Sequence, residues 1–137
     1  MENNTNQQWD FNIKLESDEF DERSDYWQNQ CNILYNMMQT ELPSGSIKPS
    51  GYKAEVGETA EIITILSTLI ISGVASKAFD KVIDKMVDIL KIWQESRPKA
   101  KISLKYADGS EIELSNLSIQ EAKKMMKEHQ KKINKKI

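Results

Sequence analysis

EIITILSTLIISGVASKAFDKV, residues 61–82, decides how this chain is read. Fifteen consecutive residues, Ile62 to Ser76, carry no charge, and Gly73 sits inside the run. Five of the fifteen are Ser or Thr. As a helix the run spans about 22 Å at about 1.5 Å per residue, short of the roughly 30 Å of a bilayer core. Beyond it, Lys77 to Lys91 alternate in charge, and each charge placed at mid-bilayer costs on the order of 2.5–3.5 kcal/mol. A membrane span is therefore disfavoured. The reading is one long helix from about Glu61 to Glu95, buried on more than one side in its first half. In its second half Phe79, Val82, Met86, Ile89 and Trp93 step by three and four, with charges opposite, an amphipathic helix.

Working outward, Trp9, Phe11, Ile13 and Leu15 alternate with polar residues, the period of a half-buried strand. The acidic stretch ESDEFDERSD (16–25) leads into a helix expected over 21–41, with Trp27, Cys31, Leu34 and Met38 as its stripe. LPSGS (42–46) ends it. Residues 47–56 read as a short edge strand, since Pro49 cannot donate to a ladder on both sides. After Pro98, Ile102, Leu104 and Tyr106 alternate, an Asp108-Gly109 turn follows, and Ile112 and Leu114 alternate again: a β-hairpin. Ser118 and Glu121 have the spacing of a capping box for a last helix.

The expected fold is α+β: a small mixed sheet of three to four strands in the order β-α-β-α-β-β-α, with a long central helix and two further helices. One domain spans 9–130, after a disordered segment 1–8 and before a basic fraying tail 131–137.

Charge is unevenly spread. Residues 1–25 hold eight acids and two bases, and residues 97–137 eleven bases and five acids. Such separated ends suit self-association or a partner that binds one end. The lone Cys31 excludes a disulfide framework, and MENNTNQQWD has no apolar signal core, so a cytoplasmic location is expected. Catalytic chemistry lacks its parts. His129 is the only histidine and Cys31 the only cysteine, and neither has a sequence neighbour to form a dyad. There is no P-loop, no dinucleotide fingerprint and no calcium loop. The basic tail has no aromatic residues to stack on bases. No catalytic residue, cofactor or metal site is expected, and nucleic acid is not expected as a partner.

The segment LIISGVASKAFDKVIDKMVDILKIW, led in by GETAE (57–61) and followed by a strand pair with ADGSEIEL at its turn, resembles the effector-associated constant component domain of bacterial conflict systems. The matching positions are Gly57, Ser72, Gly73, Val74, Ala75, Trp93, Asp108 and Gly109, within a resemblance covering roughly 9–130. The family's helix centre carries several glycines and its end is arginine-rich; here there is one glycine and KIWQESRPK. The resemblance implies a non-catalytic adaptor or regulatory component of bacterial antiviral defence, coupling a sensor to an effector such as a protease encoded nearby. Ser72, Gly73, Val74, Ala75 and Ser76, with Trp93, Lys131 and Lys132, are the candidate interaction residues, and a homo-oligomer is possible. The alternative is a membrane-active effector that inserts residues 62–92.

Overall fold

The computed structural model describes residues 8–56 and 59–135. The chain is α+β, and the described residues form five strands in one antiparallel sheet and three helices. In chain order these are β1 (Gln8–Ser17), α1 (Asp25–Glu41), β2 (Ile47–Val56), β3 (Thr59–Ala75), a 3-10 turn (Ser76–Ala78), α2 (Phe79–Glu95), β4 (Ala100–Tyr106), β5 (Glu111–Glu113) and α3 (Ile119–Lys135). The strands lie side by side as β2-β3-β1-β4-β5. The expected segment 1–8 and the last two tail residues lie almost wholly outside the described residues, and helix continues through Lys135.

One expectation is overturned. Residues 61–95 are not a single helix: the uncharged run is the seventeen-residue strand β3, and helix begins only at Phe79. The sheet therefore gains a strand, and every strand pair among the described residues is antiparallel, where a mixed sheet was expected. The physical reason is in the residue types. Eight of the fifteen residues from Ile62 to Ser76 are Ile, Val or Thr, whose branched Cβ loses rotamer freedom in a helix and packs well on a pleated surface. Gly73 adds no stiffness to a helix and is tolerated in an extended chain.

Register organises the core in rows. Ile47, Ile71, Phe11 and Tyr106 are neighbours across four strands, and Leu69, Ile13, Leu104 and Ile112 form the next row. All eight are buried in one cluster with the inner faces of the helices. On the opposite face of the sheet Asn12, Lys14, Lys48 and Lys105 are exposed. α2 supplies the largest apolar stripe, Phe79, Val82, Ile83, Met86, Val87, Ile89, Leu90 and Trp93. Each such side chain stabilises the fold by roughly 1.5–3 kcal/mol when fully buried.

The helix ends and turns follow local chemistry. Ser24 caps α1, its hydroxyl accepting from the Trp27 N–H at 3.2 Å. The capping box at α3 is formed as its spacing predicts: Glu121 N–H donates to Ser118 Oγ at 3.1 Å, and Ser118 N–H donates to Glu121 Oε1 at 2.9 Å. The Ser118 N–H, and after it the Ser118 side chain, hold the Glu121 carboxyl below its usual range. In the β4–β5 hairpin Gly109 has φ of 91°, the left-handed conformation expected of an Asp-Gly turn. Leu114 N–H donates to Ile102 O at 2.8 Å and carries the ladder one step past β5.

β3 changes character along its length. Leu69, Ile70 and Ile71 pair with both β1 and β2, Thr68, Val74 and Ala75 pair with β1, and 59–65 pair with β2 alone. Between Pro49 and Ser50 the register moves from Leu69 to Ile65, leaving three extra residues on β3. At that bulge the Leu66 N–H donates to Gln28 Oε1 of α1 at 2.7 Å. Past the bulge β2 and β3 pair only with each other, as a two-stranded arm of the sheet. No helix among the described residues is long and apolar enough to cross a membrane.

Candidate functional site

Where the loop after β1 meets the start of α1 and the turn between α2 and β4, a half-open cavity of about 200 Å³ is present. It is lined by Phe20, Tyr26, Trp27, Gln30, Arg97 and Lys99, among others. Phe20 and Tyr26 are 37% and 54% exposed, although both are large aromatics beside a polar loop. Their rings lie 4.5 Å apart, and Phe20 stacks on Trp27 with centroids at 6.2 Å and planes 14° apart. Trp27 in turn meets Trp93 at 5.8 Å. Four rings therefore run from solvent into the core, and only the inner two are buried.

The inner rings are fixed by their indole N–H groups. Trp27 Nε1 donates to Leu15 O at 3.2 Å, and Trp93 Nε1 donates to Gln30 O at 2.8 Å. Arg97 lies over the Trp93 ring, its Cζ 4.9 Å from the centroid. Its Nε donates to Gln30 Oε1 at 2.8 Å and one Nη to Trp93 O at 3.0 Å. These contacts hold the guanidinium in place at the cavity wall. The acidic loop is tied to the residue before β4 by Lys99–Glu19 and to β4 itself by Lys101–Asp18, both at 3.5 Å. Gln28 also holds the loop, donating from Nε2 to Glu22 O.

The charged ends find partners within the chain. Lys127 reaches Asp84 at 2.8 Å and Lys123 reaches Asp88 at 3.0 Å, joining α3 to α2. The acidic segment 16–25 and the basic α3 each use part of their charge inside the fold.

Two features invite a chemical reading. Cys31 is fully buried, and burial pushes its thiol up to about 12, against the opposing influence of Arg97. It is a neutral core residue and no nucleophile. His129 does acquire polar neighbours: Ser110 Oγ lies 2.8 Å from its Nε2 and 2.5 Å from Asp108 Oδ1. The order is wrong for a hydrolytic triad. The carboxylate takes the serine proton itself, so the serine oxygen is left to accept from the ring instead of donating to it. The backbone N–H groups nearest the serine are already used, Gly109 N–H by Tyr106 O and Ser110 N–H by Asp108. The trio locks the hairpin turn onto α3, where the His129 ring packs 4.2 Å from Tyr106. No cluster of three or more His, Cys, Asp or Glu suited to a metal is found among the described residues.

The residues singled out in the sequence are spread over the molecule. Ser72, Gly73, Val74 and Ala75 form the last part of β3, where Ser72 N–H donates to Ser46 O at 2.9 Å and Val74 and Ala75 pair with Trp9 and Gln8. Ser76 opens the 3-10 turn. Trp93 is 1% exposed in the core, near the far end of α2. A seventeen-residue helix is about 25 Å long, so Trp93 is separated from the small-residue stretch by nearly its full length. Lys131 and Lys132 are exposed on the last turns of α3. Phe20, Tyr26 and Arg97 were not singled out, although Phe20 within an acidic run and Tyr26 off the α1 stripe are visible as large aromatics with no place in the core pattern.

No protein-family model, curated protein or solved structure matches this chain. Of the positions that carry the resemblance to the effector-associated domain, Gly57 lies outside the described residues, and Ser72–Ala75 are strand. The hairpin and the terminal helix follow α2 in the implied order.

Proposed function

We propose that this chain is a non-catalytic protein-binding component that takes one large side chain of a partner polypeptide into the cavity beside Phe20, Tyr26 and Arg97. The exposed aromatic pair over that cavity carries the reading. A volume of about 200 Å³ is below the roughly 300–1,000 Å³ of small-molecule sites and suits a single anchoring residue. Tyr, Trp and Arg are the residues that dominate binding energy at protein interfaces. Here Arg97 is already oriented by Gln30 and Trp93, so little freedom is lost on binding. In the setting that the resemblance implies, the partner is an effector such as a protease encoded beside this chain, and the work is done in the bacterial cytoplasm as part of defence.

The test is co-purification and calorimetry with the product of the neighbouring effector gene. Phe20→Ala with Tyr26→Ala should weaken binding at least tenfold while the circular dichroism spectrum is retained. Unchanged affinity in that double variant would overturn the cavity as the binding site. Release of dye from lipid vesicles by the purified chain would count against an adaptor and for membrane action.

A further inference from the structure

We infer that the β2–β3 arm is a self-pairing device: β3, over residues 59–65, adds edge to edge to the same strand of a second copy of this chain. This goes beyond the cavity and stands on different residues. Two observations motivate it. First, β3 has ladder partners on both sides at Leu69, Ile70 and Ile71, but over 59–65, beyond the bulge where Gln28 accepts from the Leu66 N–H, it pairs with β2 alone. A two-stranded ribbon is marginal in water by itself and gains stability from a third strand. Second, the two edges of the arm differ in kind. On the arm β2 carries Lys53 and Glu55, with Pro49 just before it, residues of the kind that keep an edge from pairing. The stretch TAEIITI (59–65) has neither proline nor lysine and a single charge, Glu61.

The occupant follows from that single charge. In an antiparallel pair of two copies about a two-fold axis at Ile63, Ile62 lies opposite Thr64, and Glu61 lies opposite Ile65. No acid meets its copy. Parallel in-register pairing would set Glu61 against Glu61, which is unfavourable for directly opposed like charges. The strand is thus complementary to itself in the one arrangement that closes as a dimer.

Sedimentation velocity across a micromolar concentration series, with hydrogen exchange on the same samples, tests this. The expected result is a mass rising from 15.8 kDa to about twice that, with the amides of 59–65 exchanging more slowly as the dimer forms and those of β1 and β4 unchanged. Ala60→Lys with Thr64→Lys should abolish both effects. In register these positions face Glu55 and Gly51, so the hairpin itself tolerates them. Backbone pairing is insensitive to salt, so the dimer should persist at 1 M salt, where the screening length is about 3 Å. A monomer at every concentration, a dimer that survives the double lysine variant, or a dimer lost at high salt would each overturn the proposal.

Discussion

β3 and α2 are the same length, seventeen residues each, and only the turn Ser76–Ala78 separates them, yet they bury their apolar side chains by different rules. In β3 burial alternates over 68–71: Leu69 and Ile71 are fully buried, while Thr68 and Ile70, each one residue before them, are half-exposed. In α2 neighbours are buried together, Met86 with Val87 and Ile89 with Leu90, and the charges fall in the gaps. Nine residues of β3 are Ile, Val or Thr against five in α2, and β3 has one charge where α2 has seven. An apolar segment with few charges has no polar face to set its period. Branching at Cβ then decides between strand and helix.

The largest expected effects test that difference directly. Leu69→Lys should unfold the domain, since an unpaired buried charge costs several kcal/mol against a total stability of about 5–15 kcal/mol. Ile70→Lys, one residue on, should remain folded with a small change in melting temperature. In α2 the adjacent pair Met86→Lys and Val87→Lys should both unfold. Equal damage at 69 and 70 would break the period-two account of β3.

The junction between the two halves of β3 gives the next effect. Gln28→Ala removes the acceptor for the Leu66 N–H, and a partly buried donor left unpaired costs about 1–3 kcal/mol. Gln28→Glu keeps an acceptor and should cost less in urea denaturation. If the two are indistinguishable, Gln28 does not hold the bulge.

The β4–β5 hairpin should respond more weakly. Gly109 at φ of 91° is strained by any side chain, so Gly109→Val should lose about 1–2 kcal/mol. Asp108→Asn keeps an oxygen for the Ser110 N–H and should lose less. The smallest effect concerns pH. The Glu121 carboxyl is held below its unfolded value by Ser118. Its contribution is therefore present above the unfolded pKa and is lost as pH falls through the folded one. Glu121→Gln should flatten the acid limb of the melting curve without altering the neutral plateau.

How much of this was legible depends on whether local pattern or tertiary context decides. The α+β class, β1, the edge position of β2, the amphipathic α2, the Asp-Gly hairpin and the capping box at Ser118 and Glu121 follow from period, caps and turn residues. β3 did not, because its apolar run lacks the alternation that marks a strand: Ile62, Ile63, Ile65, Leu66 and Leu69–Ile71 offer apolar residues at helical spacing as readily as at strand spacing. The cavity was hidden for another reason. Phe20, Tyr26 and Arg97 come from three separate segments, and only the packing of Trp27 on Trp93 brings them together.

The claim on which the rest turns is that residues 59–75 are strand and that 79–95 alone are helix. Backbone chemical shifts of the labelled protein test it most directly, since Cα and Cβ shifts move in opposite directions in the two conformations. The expected result is strand-type shifts through Ala75, helical shifts from Phe79, and cross-strand contacts of Ile71 with both Phe11 and Ile47. Helical shifts across 62–76, with those contacts missing, would contradict it.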